Sequence, residues 1–151
     1  MSGVEREKSR IKSTGEVFTP TELVQEILDQ LPQELFKDPT KTFLDPTCGD
    51  GQFLSEVIIK KVENGSTYEQ ALATTYGVDL MIDNCLECIK RLYQVTEDQI
   101  EIIDKDLPLG YDVPGVNAIF KIDNKIINIV CADGLVYDYS FGENKITEWF
   151  E

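Results

Sequence analysis

Residues 42–54 read TFLDPTCGDGQFL and decide the fold class. Residues 41–45 predict a short strand that ends in an acid, Asp45. The two glycines at 49 and 51 predict a loop whose backbone can lie close to a ligand. A helix then follows, with free N–H groups at its start that suit an anionic group. Taken alone, an acid followed by two glycines also fits a plain tight turn.

Regular elements extend outward from this unit. Thr19 as N-cap, Pro20 at the first helical position and Glu22 form a capping-box pattern that predicts a helix ending at Pro32. After the loop, a second helix is expected to stop at Asn64-Gly65. The remaining predictions are a short helix from a capping box at 66–69, a strand at 74–78 ending at Asp79, a helix from Ile82 to Tyr93, and a buried strand at 126–131.

Strands that alternate with helices predict an α/β chain with a partial doubly wound, Rossmann-like parallel sheet. Residues 104–124 interrupt the alternation with two prolines and two glycines, and are interpreted as an insertion. Within it, residues 118–122 and the turn at Asp123-Asn124 predict a hairpin with the last strand. The chain is therefore divided into an arm at 1–13 and one domain at 14–151.

The net charge of the chain limits the kinds of partner that it can bind. The 28 acidic residues outnumber the 14 basic ones, which gives a net charge of −14. Such a surface repels a polyanion, so DNA binding by the isolated chain is disfavoured. The basic residues Arg6, Lys8, Arg10 and Lys12 fit either a solvated arm or an arm that contacts phosphate.

Four cysteines and no histidine bear on the compartment and on metal binding. The charged N-terminus lacks a signal peptide, so a reducing cytoplasm is expected. Cys85 and Cys88 have the spacing of a zinc or redox motif, but they fall on the helix from Ile82. Core packing is therefore favoured over metal binding, and no metal is predicted. No apolar run has the length of a membrane span.

Three acids follow three predicted strands: Asp45, Asp79 and Asp133. In an open α/β sheet, ligands bind beyond the carboxyl ends of the strands. Asp79 is placed to accept hydrogen bonds from ribose hydroxyls, and Asp133 from an exocyclic amine. The alternatives are a helix N-cap for Asp79 and a simple turn aspartate for Asp133.

These residues resemble the adenine-N6 DNA methyltransferases, particularly the modification subunits of restriction systems. Residues 15–20 (GEVFTP) look like the family's N-terminal cofactor motif, and residues 45–54 like its glycine-rich motif. Residues 77–80 are similar to its ribose-binding strand end, and residues 131–135 to the segment that holds the adenine amine. The resemblance spans residues 14 to 140 and implies an S-adenosylmethionine-dependent methyltransferase fold with the inserted hairpin.

Carried over by position, the resemblance implies a cofactor site for S-adenosylmethionine. Phe18, Thr19 and Pro20 would enclose the cofactor, with the Thr19 hydroxyl near the methionine carboxylate. Asp45 and the loop Cys48–Gly51 would line the methionine end, Asp79 the ribose, and Leu80 the adenine face. The full set of implied cofactor-binding residues is Phe18, Thr19, Pro20, Asp45, Pro46, Thr47, Cys48, Gly49, Gly51, Phe53, Asp79, Leu80, Asp133, Gly134 and Leu135.

The sequence departs from the family pattern after Asp133. The family's Asn/Asp-Pro-Pro-aromatic tetrapeptide does not occur, and neither does a target-recognition region. No catalytic residue is therefore assigned, and the chain is interpreted as the cofactor-binding part of a DNA methyltransferase. The missing half would leave a sheet edge bare, which predicts a homo-oligomer or a subunit that supplies it.

Two other functions stay open at this point. One is a non-catalytic protein that sequesters or senses the cofactor. The other is an enzyme with a different acceptor that recruits Asp50, Asp133 or Trp149 across an oligomer interface.

Overall fold

A computed structural model describes residues 20–104 and 115–141 of the chain. Within these residues lie five α-helices: α1 Thr21–Asp29, α2 Glu34–Lys37, α3 Gln52–Glu63, α4 Tyr68–Ala73 and α5 Ile82–Tyr93. A 3₁₀ turn spans Glu97–Gln99. The strands are β1 Phe43–Asp45, β2 Thr75–Asp79, β3 Glu101–Asp104, β4 Val116–Ile122 and β5 Lys125–Ala132. The α/β class is confirmed.

The five strands form one mixed sheet in the order β1-β2-β5-β4-β3. β1, β2 and β5 are parallel, whereas β4 pairs antiparallel with both β5 and β3. The predicted hairpin is confirmed: Asp123 and Asn124 both have positive φ, at 51° and 64°, as a two-residue hairpin turn requires. The sheet is therefore mixed, because this tight turn reverses the chain between β4 and β5.

The structure describes part of the segment that is interpreted as an insertion, residues 104–124. Residues 116–122 are a full member of the sheet, between β5 and β3. β3 itself was not predicted, because Glu101–Asp104 is short and places two isoleucines between acids, without clear alternation. The part of this segment at 105–114 lies outside the described residues.

Alternate residues of the strands face two different surroundings. On one face, Phe120, Ile129 and Cys131 pack with residues of α3, α4 and α5, and α1 and α2 pack against α3 beside Phe43. On the other face, Val78 and Val130 pack with the aromatic side chains of 137–141. The buried cluster on that second face contains no helical residue. A doubly wound sheet has helices on both faces, whereas among the described residues helices pack on only one face.

Two helix starts differ from the predicted ones. The N-cap of α1 is Pro20, with no side-chain capping bond, and Thr19 lies outside the described residues. That helix also ends at Asp29, before Pro32. At α4 the capping box is one residue later than expected: the Thr67 hydroxyl accepts the Gln70 N–H, and Gln70 accepts the Thr67 N–H in return.

A buried lysine holds the start of β1. Lys61, on α3, has no solvent exposure, and its ammonium donates to the Lys41 carbonyl at 2.6 Å and to the Thr74 hydroxyl. Burial lowers the pKa of Lys61. The strand that leads into the glycine loop is thus tied at its beginning to the helix that follows the loop.

Among the described residues, no helix has both the length and the apolar character needed to cross a membrane.

Candidate functional site

The site is built where the three parallel strands end. β1 and β2 pair with Asp45 opposite Gly77, and β2 and β5 pair with Asp79 opposite Cys131. The first residue after β5 is Asp133. The three acids that the sequence singled out therefore lie together at the carboxyl ends of three adjacent parallel strands.

An open cleft of about 480 Å³ lies at these strand ends. Its walls come from the ends of all three parallel strands and the loops that follow them. The lining residues are Pro46, Thr47, Asp79, Leu80, Ala132, Asp133, Gly134, Leu135 and Tyr139.

Each of the three acids makes the same local hydrogen bond. The carboxylate accepts the backbone N–H two residues later: Thr47 for Asp45 at 3.0 Å, Met81 for Asp79 at 3.0 Å, and Leu135 for Asp133 at 2.9 Å. Such bonds form Asx turns, which set the direction of the carboxylate and bend the chain away from the strand. The bond uses one oxygen of each carboxylate.

Asp79 makes the most hydrogen bonds of the three. Its Oδ1 accepts the Gly49 N–H at 3.1 Å, and its Oδ2 also accepts the Asn84 side-chain amide at 3.1 Å. The N-cap of α5 is Met81, so the alternative of Asp79 as N-cap is not what the structure shows. Asp79 instead joins the glycine loop, the end of β2 and the first turn of α5.

Partial burial affects Asp45. Desolvation raises the pKa of Asp45, the two hydrogen bonds from Thr47 lower it, and the charge of Asp79 raises it. Desolvation has the largest effect, so the ionised carboxylate is held at a cost in free energy. This carboxylate lies behind Pro46 and Thr47 and is not itself part of the cleft wall.

The glycine loop depends on both of its glycines. Gly49 and Gly51 have positive φ, at 56° and 90°, and Gly51 is the N-cap of α3. A Cβ on Gly51 would lie 3.0 Å from the Cys88 Sγ and 3.2 Å from the Cys88 Cα. The loop is therefore pressed against α5 at this point.

The cysteines are core residues. Cys48, Cys85, Cys88 and Cys131 are all buried, and no group of three or more Cys, Asp or Glu side chains within 20–104 and 115–141 is arranged to hold a metal. Hydrogen bonding to Cys88 and burial raise the pKa of Cys48. A protonated thiol is a poor nucleophile, so the structure gives Cys48 a packing role beneath the loop.

The cofactor-binding residues predicted from the resemblance divide into three groups. Those that line the cleft are Pro46, Thr47, Asp79, Leu80, Asp133, Gly134 and Leu135. Those that lie in the strand, loop or helix behind it are Asp45, Cys48, Gly49, Gly51 and Phe53, of which Phe53 packs against the core. Pro20 is exposed at the start of α1, and Phe18 and Thr19 lie outside the described residues.

Sequence reasoning missed Ala132 and Tyr139 as lining residues. The Tyr139 hydroxyl donates to the Gly134 carbonyl at 2.6 Å, and its ring lies 5.3 Å from that of Tyr137. Its φ of 58° is unusual for a bulky residue and turns the ring toward the cleft loop. Desolvation, and secondarily the charge of Asp133, raise the pKa of Tyr139. The two tyrosines in Tyr137-Asp138-Tyr139 were the sequence signal that could have indicated Tyr139 as a lining residue.

Two leucines are unusually exposed at the cleft. Leu135 is 97% exposed and Leu80 59% exposed, although both are large and apolar. Their position beside Asp79 and Asp133 places apolar surface next to acceptor oxygens. A flat, apolar ring with polar edges, such as a purine, suits this combination.

Of the residues considered for a different acceptor, Asp50 does not line the cleft. Its carboxylate lies 3.4 Å from the Arg91 guanidinium, on the side of the loop toward α5. Trp149 lies outside the described residues.

The chain matches the model of a known protein family. The family model described as N-6 DNA Methylase matches residues 6–89, more than half of the chain. The matched range includes the glycine loop, Asp45 and Asp79, and it ends before Asp133. Comparison with solved structures gives no match.

Proposed function

The chain belongs to the N-6 DNA methylase family, and on that premise we propose that it binds S-adenosylmethionine in the cleft at the ends of β1, β2 and β5. The observation that carries the proposal is the convergence of Asp45, Asp79 and Asp133 on this edge, two of them in the cleft wall. We further propose that the fold is a partial Rossmann-like methyltransferase fold, with β1, β2 and β5 as its parallel part.

The adenosine part of the cofactor fits the β2 and β5 side of the cleft. Leu80 and Leu135 would cover the adenine ring, and the Asp133 carboxylate would accept its exocyclic amine. Burial of these two exposed side chains by a purine would contribute favourably, since each has apolar surface in contact with water.

The hydrogen bonds already made by Asp79 limit how it holds the ribose. An ionised carboxylate has about four acceptor positions, and Asp79 uses three of them within the protein. The remaining position lies on Oδ1, the oxygen that accepts only the Gly49 N–H. We therefore expect one ribose hydroxyl to bind Asp79 directly, rather than both.

Charge favours this ligand over a nucleic acid. S-adenosylmethionine carries a sulfonium and an ammonium against one carboxylate, and is therefore a net cation. A cleft bordered by carboxylates, on a chain of net charge −14, attracts a small cation and repels a polyanion.

For the reaction, we propose that this chain supplies the cofactor-binding part of a DNA methyltransferase. The sequence contains no Asn/Asp-Pro-Pro-aromatic tetrapeptide, so another polypeptide segment would present the adenine. Among the described strands, β1 is an edge of the sheet and offers unpaired backbone groups to such a segment or to a second copy. The strong negative charge and the absent tetrapeptide favour, as the second candidate, a protein that binds the cofactor without catalysis.

The test is calorimetric titration of the purified protein with S-adenosylmethionine. Wild type is expected to bind, and Asp79→Ala to bind at least tenfold more weakly, as for the loss of a hydrogen bond to a charged group. Asp29→Ala is the matched control, since Asp29 is an exposed acid on α1 that pairs with Lys60. No binding by wild type up to millimolar cofactor, or equal affinities of all three proteins, would refute the proposal.

Catalysis is tested separately. The assay measures transfer of a labelled methyl group to adenine-containing DNA. It is run with the chain alone and with the chain plus a polypeptide that supplies the missing tetrapeptide segment, and it separates the two candidates. Binding without transfer under both conditions favours the cofactor-binding protein.

A further inference from the structure

Four side chains form a continuous strap across the outside of the glycine loop. The Arg91 Nη1 donates to the Gln52 Oε1 at 2.8 Å, and its Nη2 lies 3.4 Å from the Asp50 Oδ2. The Gln52 side-chain amide donates in turn to the Thr21 hydroxyl. We call these four residues, Thr21, Gln52, Arg91 and Asp50, the Arg91 strap. None of them lines the cleft.

The strap connects the glycine loop with three helices. Asp50 belongs to the glycine loop, and Gln52 is the first residue of α3, directly after it. Thr21 is the first residue of α1, directly after Pro20. Arg91 lies in the last turn of α5, the helix that begins after Asp79. The guanidinium therefore links α5 to the loop and to α3, and Gln52 extends this link to α1.

The burial of Asp50 explains why the loop depends on Arg91. The Asp50 side chain is 21% exposed, and its Oδ1 is buried with no hydrogen-bond partner among the described residues. A carboxylate in this position needs a nearby cation to offset its desolvation. Without the guanidinium, the desolvation of the carboxylate is no longer offset, which destabilises this position of the loop.

Movement of the loop is transmitted to the cleft, because the loop is closely packed against its neighbours. Gly51 is pressed against Cys88, and the Gly49 N–H is bonded to Asp79. A displaced Asp50 therefore shifts the backbone of the loop, which the family resemblance assigns to the methionine end of the cofactor.

We propose that Arg91 is a positioning residue for the methionine end of the bound cofactor. The inference rests on the proposed function together with the family resemblance, which implies that the loop Cys48–Gly51 lines the methionine end of the cofactor. The adenosine part is held by residues outside the strap, at the ends of β2 and β5. Loss of the strap should therefore weaken ligands that carry the amino-acid part and spare ligands that lack it.

The test compares two ligands on the full chain by calorimetry. S-adenosylmethionine has the amino-acid part, whereas 5′-methylthioadenosine has the same adenosine and sulfur without it. Arg91→Met is expected to weaken S-adenosylmethionine about tenfold, and to change 5′-methylthioadenosine less than about twofold. Arg91→Lys keeps a charge for Asp50 but lacks the planar fork that also reaches Gln52, so it should restore part of the affinity.

Lys90→Met is the matched control, since Lys90 is the adjacent cation on α5 and pairs with Glu87 at 2.8 Å on the same helix. It should leave both affinities unchanged. Gln52→Leu removes both the bond to Thr21 and the bond from the Arg91 Nη1 while Asp50 stays paired, and it should weaken S-adenosylmethionine and spare 5′-methylthioadenosine in the same way. Circular dichroism confirms that each variant is folded at the titration temperature.

The outcomes separate this inference from the proposed function. If wild type binds neither ligand, the proposed function fails and the inference with it. If wild type binds both ligands and Arg91→Met weakens both equally, the strap only stabilises the fold and the positioning role is wrong. Unchanged affinity of Arg91→Met for both ligands also overturns it.

Discussion

Asp79→Ala is expected to lower the stability of the free protein as well as its affinity for a ligand. The carboxylate accepts three N–H groups, from Gly49, Met81 and Asn84, at 3.0–3.1 Å. A hydrogen bond to a charged group contributes about 1.5 to 3 kcal/mol. Because solvent can reach part of this site, we take about 1 kcal/mol for each of the three bonds, below that range, and expect a total loss of about 3 kcal/mol. That corresponds to a fall in Tm of about 6 to 12 °C for a chain of this size.

Asp133→Ala is the matched control for this loss. Its carboxylate accepts only the Leu135 N–H among the bonds described above, in a turn whose following residues are exposed, so the expected cost is about 1 kcal/mol. Thermal unfolding and urea titration, followed by circular dichroism without ligand, measure both variants. Equal losses, or a loss below about 1 kcal/mol for Asp79→Ala, would refute the view that Asp79 holds the loop, β2 and α5 together.

Three further predictions follow from the same geometry. Gly77→Ala should cost about 1 to 3 kcal/mol in urea unfolding, because its Cβ would lie 2.8 Å from the Leu54 Cδ1; a neutral effect would contradict the close packing. Asp45→Asn should be more stable than wild type at neutral pH. The raised pKa of Asp45 means that the wild-type free energy of unfolding falls as pH rises from 3.8 to the folded pKa, so the difference in Tm should vanish below that interval. Tyr139→Phe loses the bond to the Gly134 carbonyl and should weaken cofactor binding by about 1 kcal/mol in calorimetry, with an unchanged affinity as the contrary result.

Local patterns in the sequence predicted most of the elements. The apolar stripe of α5, the apolar run of β5 and the turn at Asp123-Asn124 each follow from residues within a few positions of one another. The three acids at the strand ends were also predictable, because each follows its strand directly. β3 was missed since a four-residue strand acquires its identity from its neighbour β4.

Contacts between distant residues could not be predicted in this way. The bond from Gly49 to Asp79 joins residues 30 positions apart, and that from Arg91 to Gln52 joins residues 39 apart. Neither residue pair has a sequence signal, because such bonds exist only once the helices have packed. The direction of β4, by contrast, was predictable, because the turn at Asp123-Asn124 is local.

The mixed sheet has a consequence for the order of folding. β4 and β5 are joined by two residues, and such hairpins close within about 1 to 10 μs. The pairing of β5 with β2 instead closes a loop that contains α5, β3 and β4, and non-local parallel pairing is slow. The cleft lies at the ends of β2 and β5, the two strands whose pairing is expected to form late. The hairpin is therefore expected to form early, and the ligand site to be completed only when the two parts of the sheet join.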